Sequence, residues 1–260
     1  MTDTSPSRSS SHCVVMPTFD SGDLLEPTVC SVLDAWNPVY LVVDGSTDHS
    51  ASVAAGLAKS ERGLSVLVRK ENGGKGAAVL AGLEMAAAEG FTHAAIFDAD
   101  GQHAAEDLPK FMAASSEHPH AMVLGAPIFD ADAPKLRVYG RLAGNCCANL
   151  ETWWGGIEDS LFGLRVYPIH PALELLRRIR GGKGFDFDTQ LAVRLYWQGV
   201  PPINIPTKVR YMRRHERVSH FHYLRDNLLL AKVHASMLLE SFVIAPRLWR
   251  YRRRPRITWP

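Results

Sequence analysis

The chain has 260 residues, enough to bury a full α/β core, and its 46% hydrophobic and 22% charged residues are those of an ordinary globular domain. These fractions exclude a disordered polyelectrolyte and a multiply membrane-spanning protein. The formal net charge is only +2, but cations crowd the end, in Arg247-Leu248-Trp249-Arg250-Tyr251-Arg252-Arg253-Arg254-Pro255-Arg256. Such a tail suits nucleic acid, anionic lipid or plain solvent.

Residues 1–11 are rich in Ser and Thr and read as a disordered leader, neither a secretory signal nor an anchor. Next, the first half alternates short apolar runs with helical patterns, as strand–helix–strand units of a mainly parallel sheet do. Strands are expected at 13–16, stopped by Pro17, then at 39–43, 64–68 and 93–97, with helices at 24–33, 50–59 and 76–88. The second half is less regular: 136–154 reads as helical, 161–167 as a strand and 185–198 as a helix. The longest apolar stretch, 228–245, is broken by Lys232, His234 and Glu240, so no transmembrane helix is expected. Cys13, Cys30, Cys146 and Cys147 lack metal-ligand spacing, which fits a reducing cytosol.

In an open parallel sheet, ligands bind beyond the carboxyl ends of the strands. Polar residues fall at those ends: Asp20 after the first strand, Asp44 after the second, Asn72 and Lys75 after the third, Asp98 and Asp100 after the fourth. Asp98 and Asp100 flank one small residue, Ala99, so on an extended chain both carboxylates share a face, and Gly101 permits a turn beyond them. Oxygen donors of this kind, with the Gln102 carbonyl, suit Mg²⁺ or Mn²⁺ carrying substrate phosphates. Asn72-Gly73-Gly74-Lys75-Gly76 opens a helix and offers backbone N–H groups to an anion, without P-loop spacing. Val43-Asp44-Gly45-Ser46-Thr47-Asp48 places an acid at a strand end to accept from a nucleobase or ribose, while Ser46 or Thr47 suits a helix cap.

Together with Met16-Pro17-Thr18-Phe19-Asp20, Phe162-Gly163-Leu164-Arg165-Val166-Tyr167 and Phe185-Asp186-Phe187-Asp188-Thr189-Gln190, these loops resemble the family 2 glycosyltransferases of GT-A fold. The branch is that of the dolichyl-phosphate mannose and glucose synthases. The resemblance implies a Rossmann-like, mainly parallel sheet flanked by helices over 12–215, with a C-terminal amphipathic helix and basic tail over 216–260. It implies nucleoside and donor contacts from Pro17, Thr18, Asp20, Asp44, Asn72 and Lys75. Asp98, Ala99, Asp100 and Gln102 would meet the diphosphate, with Asp98, Asp100 and Gln102 on Mg²⁺ or Mn²⁺. Asp100 counts as catalytic, Arg165 faces an acceptor phosphate, and Asp188 stands where non-processive relatives carry the catalytic base, with Asp186 and Asp159 as alternatives.

The expected reaction is inverting transfer of a sugar from a nucleoside-diphosphate sugar to a lipid-linked acceptor, such as a polyprenyl phosphate. Val43 replaces the first of the family's two acids, and Asp20-Ser21 replaces its usual acid in the first loop. The Gln-x-x-Arg-Trp signature of processive synthases is absent. Alternatives are a hydroxyl acceptor, a nucleotidyltransferase and an inactive nucleotide-sugar-binding subunit. A nucleotidyltransferase would carry its glycine-rich loop near the first strand.

A helix over about 224–244 is expected to gather Leu228, Leu229, Val233, Met237, Leu238 and Phe242 largely on one face. Such a helix either packs on the core or lies on an anionic membrane surface. The second reading places the protein in the cytoplasm, peripheral at the inner face of the membrane, with no nucleic-acid partner. His215, His220 and His222 are expected in solvated or hydrogen-bonding roles.

Overall fold

A computed structural model describes residues 8–129, 135–179, 184, 186–208 and 223–259. The first half runs β1 (His12–Thr18), α1 (Leu25–Ala35), β2 (Val39–Asp44), α2 (Ser50–Ser60), β3 (Leu64–Arg69), α3 (Lys75–Ala88) and β4 (His93–Ile96). Then come α4 (Leu108–Glu117), β5 (Met122–Ile128), α5 (Lys135–Glu151), β6 (Arg165–Pro168), α6 (Ile169–Arg178), α7 (Phe187–Trp197), β7 (Pro202–Lys208), α8 (Tyr223–Val243) and α9 (Ala245–Arg252). Residues 1–7, Phe185 and the three histidines at 215, 220 and 222 lie outside the described residues, as does the 215/216 boundary.

Among the described residues, seven strands form one sheet in the order β3-β2-β1-β4-β6-β5-β7. Every pairing is parallel except those of β6, which runs antiparallel to both β4 and β5. All residues of β1 and β2 are buried, as strands covered on both faces require. Val14 and Met16 pack with α1 and α4 on one face, while Cys13 and Val15 pack with α3 and α7 on the other.

Pro17 does not end β1, contrary to the sequence expectation, and pairs in register with Val42. The Val15 carbonyl accepts from Phe97 on the β4 side, so two residues on, the N–H that Pro17 lacks would face that same side. Pairing with β4 has already stopped at Val15, and the proline removes no ladder bond.

The C-terminus is also folded. The apolar residues of α8 divide between two faces: Met237 is fully buried and Val233 packs on the core, whereas Leu228 and Phe242 are exposed. Among the described residues, an Arg194–Glu240 ion pair at 2.6 Å and a hydrogen bond between His234 Nδ1 and Glu151 Oε1 at 2.7 Å fix the helix. The basic segment forms α9, and beyond it Ile257 and Trp259 pack on the α1/α4 side of the core. Among the described residues, no single helix is long and apolar enough to cross a membrane; only the pair Leu228–Val243 and Ala245–Arg252, bent by 86°, reaches that length and composition.

At the opposite end of the sheet from the polar loops, His12 and His93 are register partners with rings stacked at 4.6 Å. His12 Nε2 meets Ser115 Oγ at 3.1 Å. Burial, reinforced by the neighbouring His93, depresses the His12 pKa to about 4. An unfolded histidine titrates near 6.5, so between those values the unfolded chain holds a proton that the native fold refuses. We predict that the urea midpoint falls as pH drops from about 6.5 to about 4 and that His12→Gln flattens this limb. Parallel pH profiles for the two proteins would contradict the assignment.

Candidate active site

The loops at the carboxyl ends of β1 to β4 are built on one another. Gly45 has φ +64°, and a Cβ there would lie 2.3 Å from the Asn72 nitrogen, so the loop after β2 presses directly on the loop after β3. Asp44, with its side chain 3% exposed, accepts from Gly73 N at 3.1 Å and pairs with the Arg69 guanidinium. Asp20, itself at φ +46°, accepts from Thr47 N at 2.6 Å, Thr47 Oγ1 at 3.1 Å and Asp48 N at 3.3 Å. Thr18 Oγ1 shares a 2.6 Å hydrogen bond with Ser21 Oγ, and Pro17 is buried. Asn72 Oδ1 receives Gly74 N at 2.9 Å, just before α3. These first-rim acids and amides therefore shape the loops, and their carboxylates already hold backbone donors.

Lys75, the first residue of α3, carries the junction of the site. Its Nζ lies 2.8 Å from Asp98 Oδ1 and 2.7 Å from Asp188 Oδ2. Burial opposes its charge, but the carboxylates of Asp188 and Asp98 outweigh that and raise its pKa, so the ammonium stays protonated. Asp98 follows β4 and Asp188 sits in the first turn of α7. One cation thus joins Asp98, after β4, to Asp188 on α7.

Beneath this triad the chain is tightly packed. A Cβ on Gly163 would lie 2.1 Å from Asp98 Oδ2 and 2.5 Å from His103 Nε2, so only glycine lets the segment before β6 cross the carboxylate. Arg165, expected from the resemblance to face an acceptor phosphate, is fully buried on β6, between β4 and β5. Its guanidinium donates to Asp188 O at 2.7 Å and Tyr167 Oη at 3.1 Å, and so fixes the start of α7. Asp186 accepts from Gln190 Nε2 at 2.7 Å and is 2% exposed.

Sequence reasoning missed Arg141 and His103. Arg141, on α5, donates to Asp159 through Nε at 2.6 Å and Nη2 at 3.1 Å, and Asn145 Nδ2 reaches the same carboxylate at 3.0 Å. Its guanidinium lies 5.9 Å from the Phe162 ring centre, and that ring packs on His103 at 4.5 Å. Unlike Arg165, Arg141 keeps part of its side chain exposed. The signal was present in the spacing, since Arg141 and Asn145 stand one helical turn apart on a predicted helix. Burial lowers the His103 pKa against the pull of Asp100 and Asp98, and its Nδ1 is buried without a hydrogen-bond partner.

The donors fit a hard divalent cation. Asp98 and Asp100 supply carboxylate oxygens and Gln102 an amide, while the Gln102 N–H donates to Asp100 Oδ1 at 3.0 Å and holds the turn closed. Among the described residues, no three His, Cys, Asp or Glu side chains converge as a closed cage. Two carboxylates with open positions is the pattern of a cation shared with substrate phosphates. The Lys75 ammonium against Asp98 shows that this carboxylate accommodates positive charge.

Comparison with known proteins agrees with this fold. The polyprenol monophosphomannose synthase of Mycolicibacterium smegmatis is 28% identical over 203 residues, covering 74% of this chain and 75% of that protein. Glucosyl-3-phosphoglycerate synthase from Mycobacterium tuberculosis, solved with uridine diphosphate, superposes with a TM-score of 0.63 at 16% identity, covering 89% of this chain and 79% of that one. A mannosyltransferase from Pyrobaculum calidifontis, solved with GDP-Man and Mn²⁺, gives a TM-score of 0.60 at 17% identity over 89% of this chain and 64% of that one. The fold is the GT-A arrangement that the sequence implied. The sequence profile described as glycosyl transferase family 2 matches residues 13–176, more than half of the chain, which belongs to that family.

Proposed function

We propose that this glycosyltransferase is metal-dependent, inverting and non-processive, and moves a sugar from a nucleoside-diphosphate sugar to a lipid-linked phosphate. The observation that carries the reading is the Lys75 ammonium shared by Asp98 and Asp188, which ties a diphosphate-handling loop to an acceptor-side helix. The polyprenol monophosphomannose synthase among the relatives supports a lipid phosphate acceptor. The mannosyltransferase solved with GDP-Man and Mn²⁺ supports the donor class and the metal.

Asp98, Asp100 and Gln102 would hold Mg²⁺ or Mn²⁺, which when bound neutralises the leaving diphosphate as a Lewis acid. Pro17, Thr18, Asp20, Asp44 and Asn72 would border the nucleoside side, and Ala99, between the two aspartates, is buried in the turn after β4. The acceptor oxygen attacks the anomeric carbon opposite the diphosphate, the carbon–oxygen bond to the diphosphate breaks, and configuration inverts. A phosphate acceptor is already an anion and needs no base. Among the described residues, Arg141 offers a partly exposed guanidinium that would bind it by charge-assisted hydrogen bonds beyond those it makes to Asp159. Asp188 then holds Lys75 in place; with a hydroxyl acceptor, its carboxylate would take the proton. Arg165 acts one step back, as a positioning residue for Asp188.

Two outcomes follow. Nucleoside diphosphates with Mn²⁺ or Mg²⁺ are expected to raise the melting temperature, by the equivalent of about 2.7 kcal/mol at a hundredfold excess over Kd. Asp98→Asn should abolish the metal-dependent part. Stabilisation by no nucleotide with either metal would contradict the donor assignment. In steady-state kinetics with a polyprenyl phosphate, Asp188→Asn should lower kcat by about tenfold or more, whereas Arg141→Lys should mainly raise the acceptor KM. Unchanged turnover of Asp188→Asn at saturating substrates would remove that residue from the mechanism.

A further inference from the structure

Helix α8 is packed in an unusual sense. It turns His234 and Ser241 towards the protein, with Ser241 fully buried, and leaves Leu239, Phe242 and Val243 exposed at 70%, 61% and 83%. Those three stand at helical spacings of three and four, so they form one apolar tip. Exposing leucine, phenylalanine and valine together is costly in water, and such a patch marks an interaction surface.

The surroundings indicate what covers it. Trp153 and Trp154, directly after α5, both adopt left-handed φ values, +53° and +60°, a conformation bulky residues adopt only when the surrounding structure holds them there. This turn packs the Trp153 ring against Phe242 at 6.4 Å and leaves the next residue, Trp154, 54% exposed. Beyond the 86° bend, α9 exposes Trp249, with the Arg253 guanidinium 4.9 Å from its ring centre. From residue 228 to the end the sequence holds seven Lys and Arg and a single acid, Glu240, which Arg194 already neutralises.

We infer that the elbow between α8 and α9, with Trp154, is a docking surface for an anionic lipid bilayer. Leu239, Phe242 and Val243 enter the acyl boundary, the tryptophans sit at the headgroup level, and Arg247, Arg250 and Arg253 meet the lipid phosphates. An apolar tip followed by an exposed tryptophan and exposed arginines, with Glu240 the single acid from residue 228 onward, is complementary to a negatively charged plane. The surface lies outside the cleft and does not depend on which acceptor the cleft takes. It is nevertheless joined to it: α8 is anchored to α5 through Glu151 and to α7 through Arg194, the helices that carry Arg141 and Asp188.

The test is flotation of the full-length protein with phosphatidylcholine vesicles, with and without phosphatidylglycerol, in the absence of any sugar donor. Binding is expected to vesicles containing phosphatidylglycerol and to weaken at high salt. The exposed triple substitution Leu239→Ser, Phe242→Ser and Val243→Ser should lower the bound fraction about tenfold, as should Arg250→Glu with Arg253→Glu, with melting temperature and nucleotide stabilisation unchanged. The inference is overturned if the wild type fails to float with anionic vesicles or if the triple variant floats equally well. It is also overturned if the tip proves to be a protein interface, seen as a dimer in solution that Phe242→Ser dissolves.

Discussion

A partly buried ammonium is stabilised by carboxylates around it, and the Lys75 side chain meets that condition with two acids lying 23 and 113 residues away in sequence. The rest of the site can be understood as support for that contact. Gly163 leaves room beside Asp98, and Arg165 grips the backbone of Asp188 from below. The loop carrying Lys75 is held against the β2 loop by the close approach at Gly45 and by Asp44, whose carboxylate accepts the Gly73 N–H. Removing any of these supports leaves a charge in a poorly solvated place without its partner.

In the proposed reaction this arrangement would divide the labour of group transfer. The carboxylate pair after β4 would face the leaving group, and Lys75 shares its charge between Asp98 of that pair and Asp188 on the helix that begins at Phe187. A guanidinium on α5, backed by the buried Asp159, lies close to the aromatic stack of Phe162 and His103 and would serve the acceptor. Charge developing on a departing diphosphate and charge arriving with an acceptor would then meet groups held in place by the fold, which is the physical basis of electrostatic preorganisation.

Much of this was legible in the sequence. Interior parallel strands are continuous apolar runs, so β1 to β4 were predicted to within three residues at each end. β5 and β7 were not predicted: Met122–Ile128 contains Gly and Pro, and Pro202–Lys208 contains two prolines, which an edge strand tolerates but which hide the strand pattern. Asp98, Asp100, Lys75 and Asp188 were recognisable because each falls at an element end in a known order. What could not be read was which side chains meet. Lys75 was expected to face the donor, and only the fold shows that it also reaches α7. The motif around Arg165 did not show that its guanidinium is buried and donates to the backbone of Asp188. For α8, periodicity reported apolar residues without distinguishing those facing the core from those facing outwards.

The central claim is that one cleft couples diphosphate departure at Asp98 and Asp100 to arrival of a lipid phosphate beside Arg141 and Asp188. The most direct measurement is product analysis after incubating the protein with radiolabelled nucleoside-diphosphate sugars, Mn²⁺ and a polyprenyl phosphate. The account predicts one nucleoside diphosphate released for each sugar recovered in the organic phase, joined to the lipid through a single phosphate with inverted anomeric configuration. Release of pyrophosphate or nucleoside monophosphate, or retention of configuration, would contradict it.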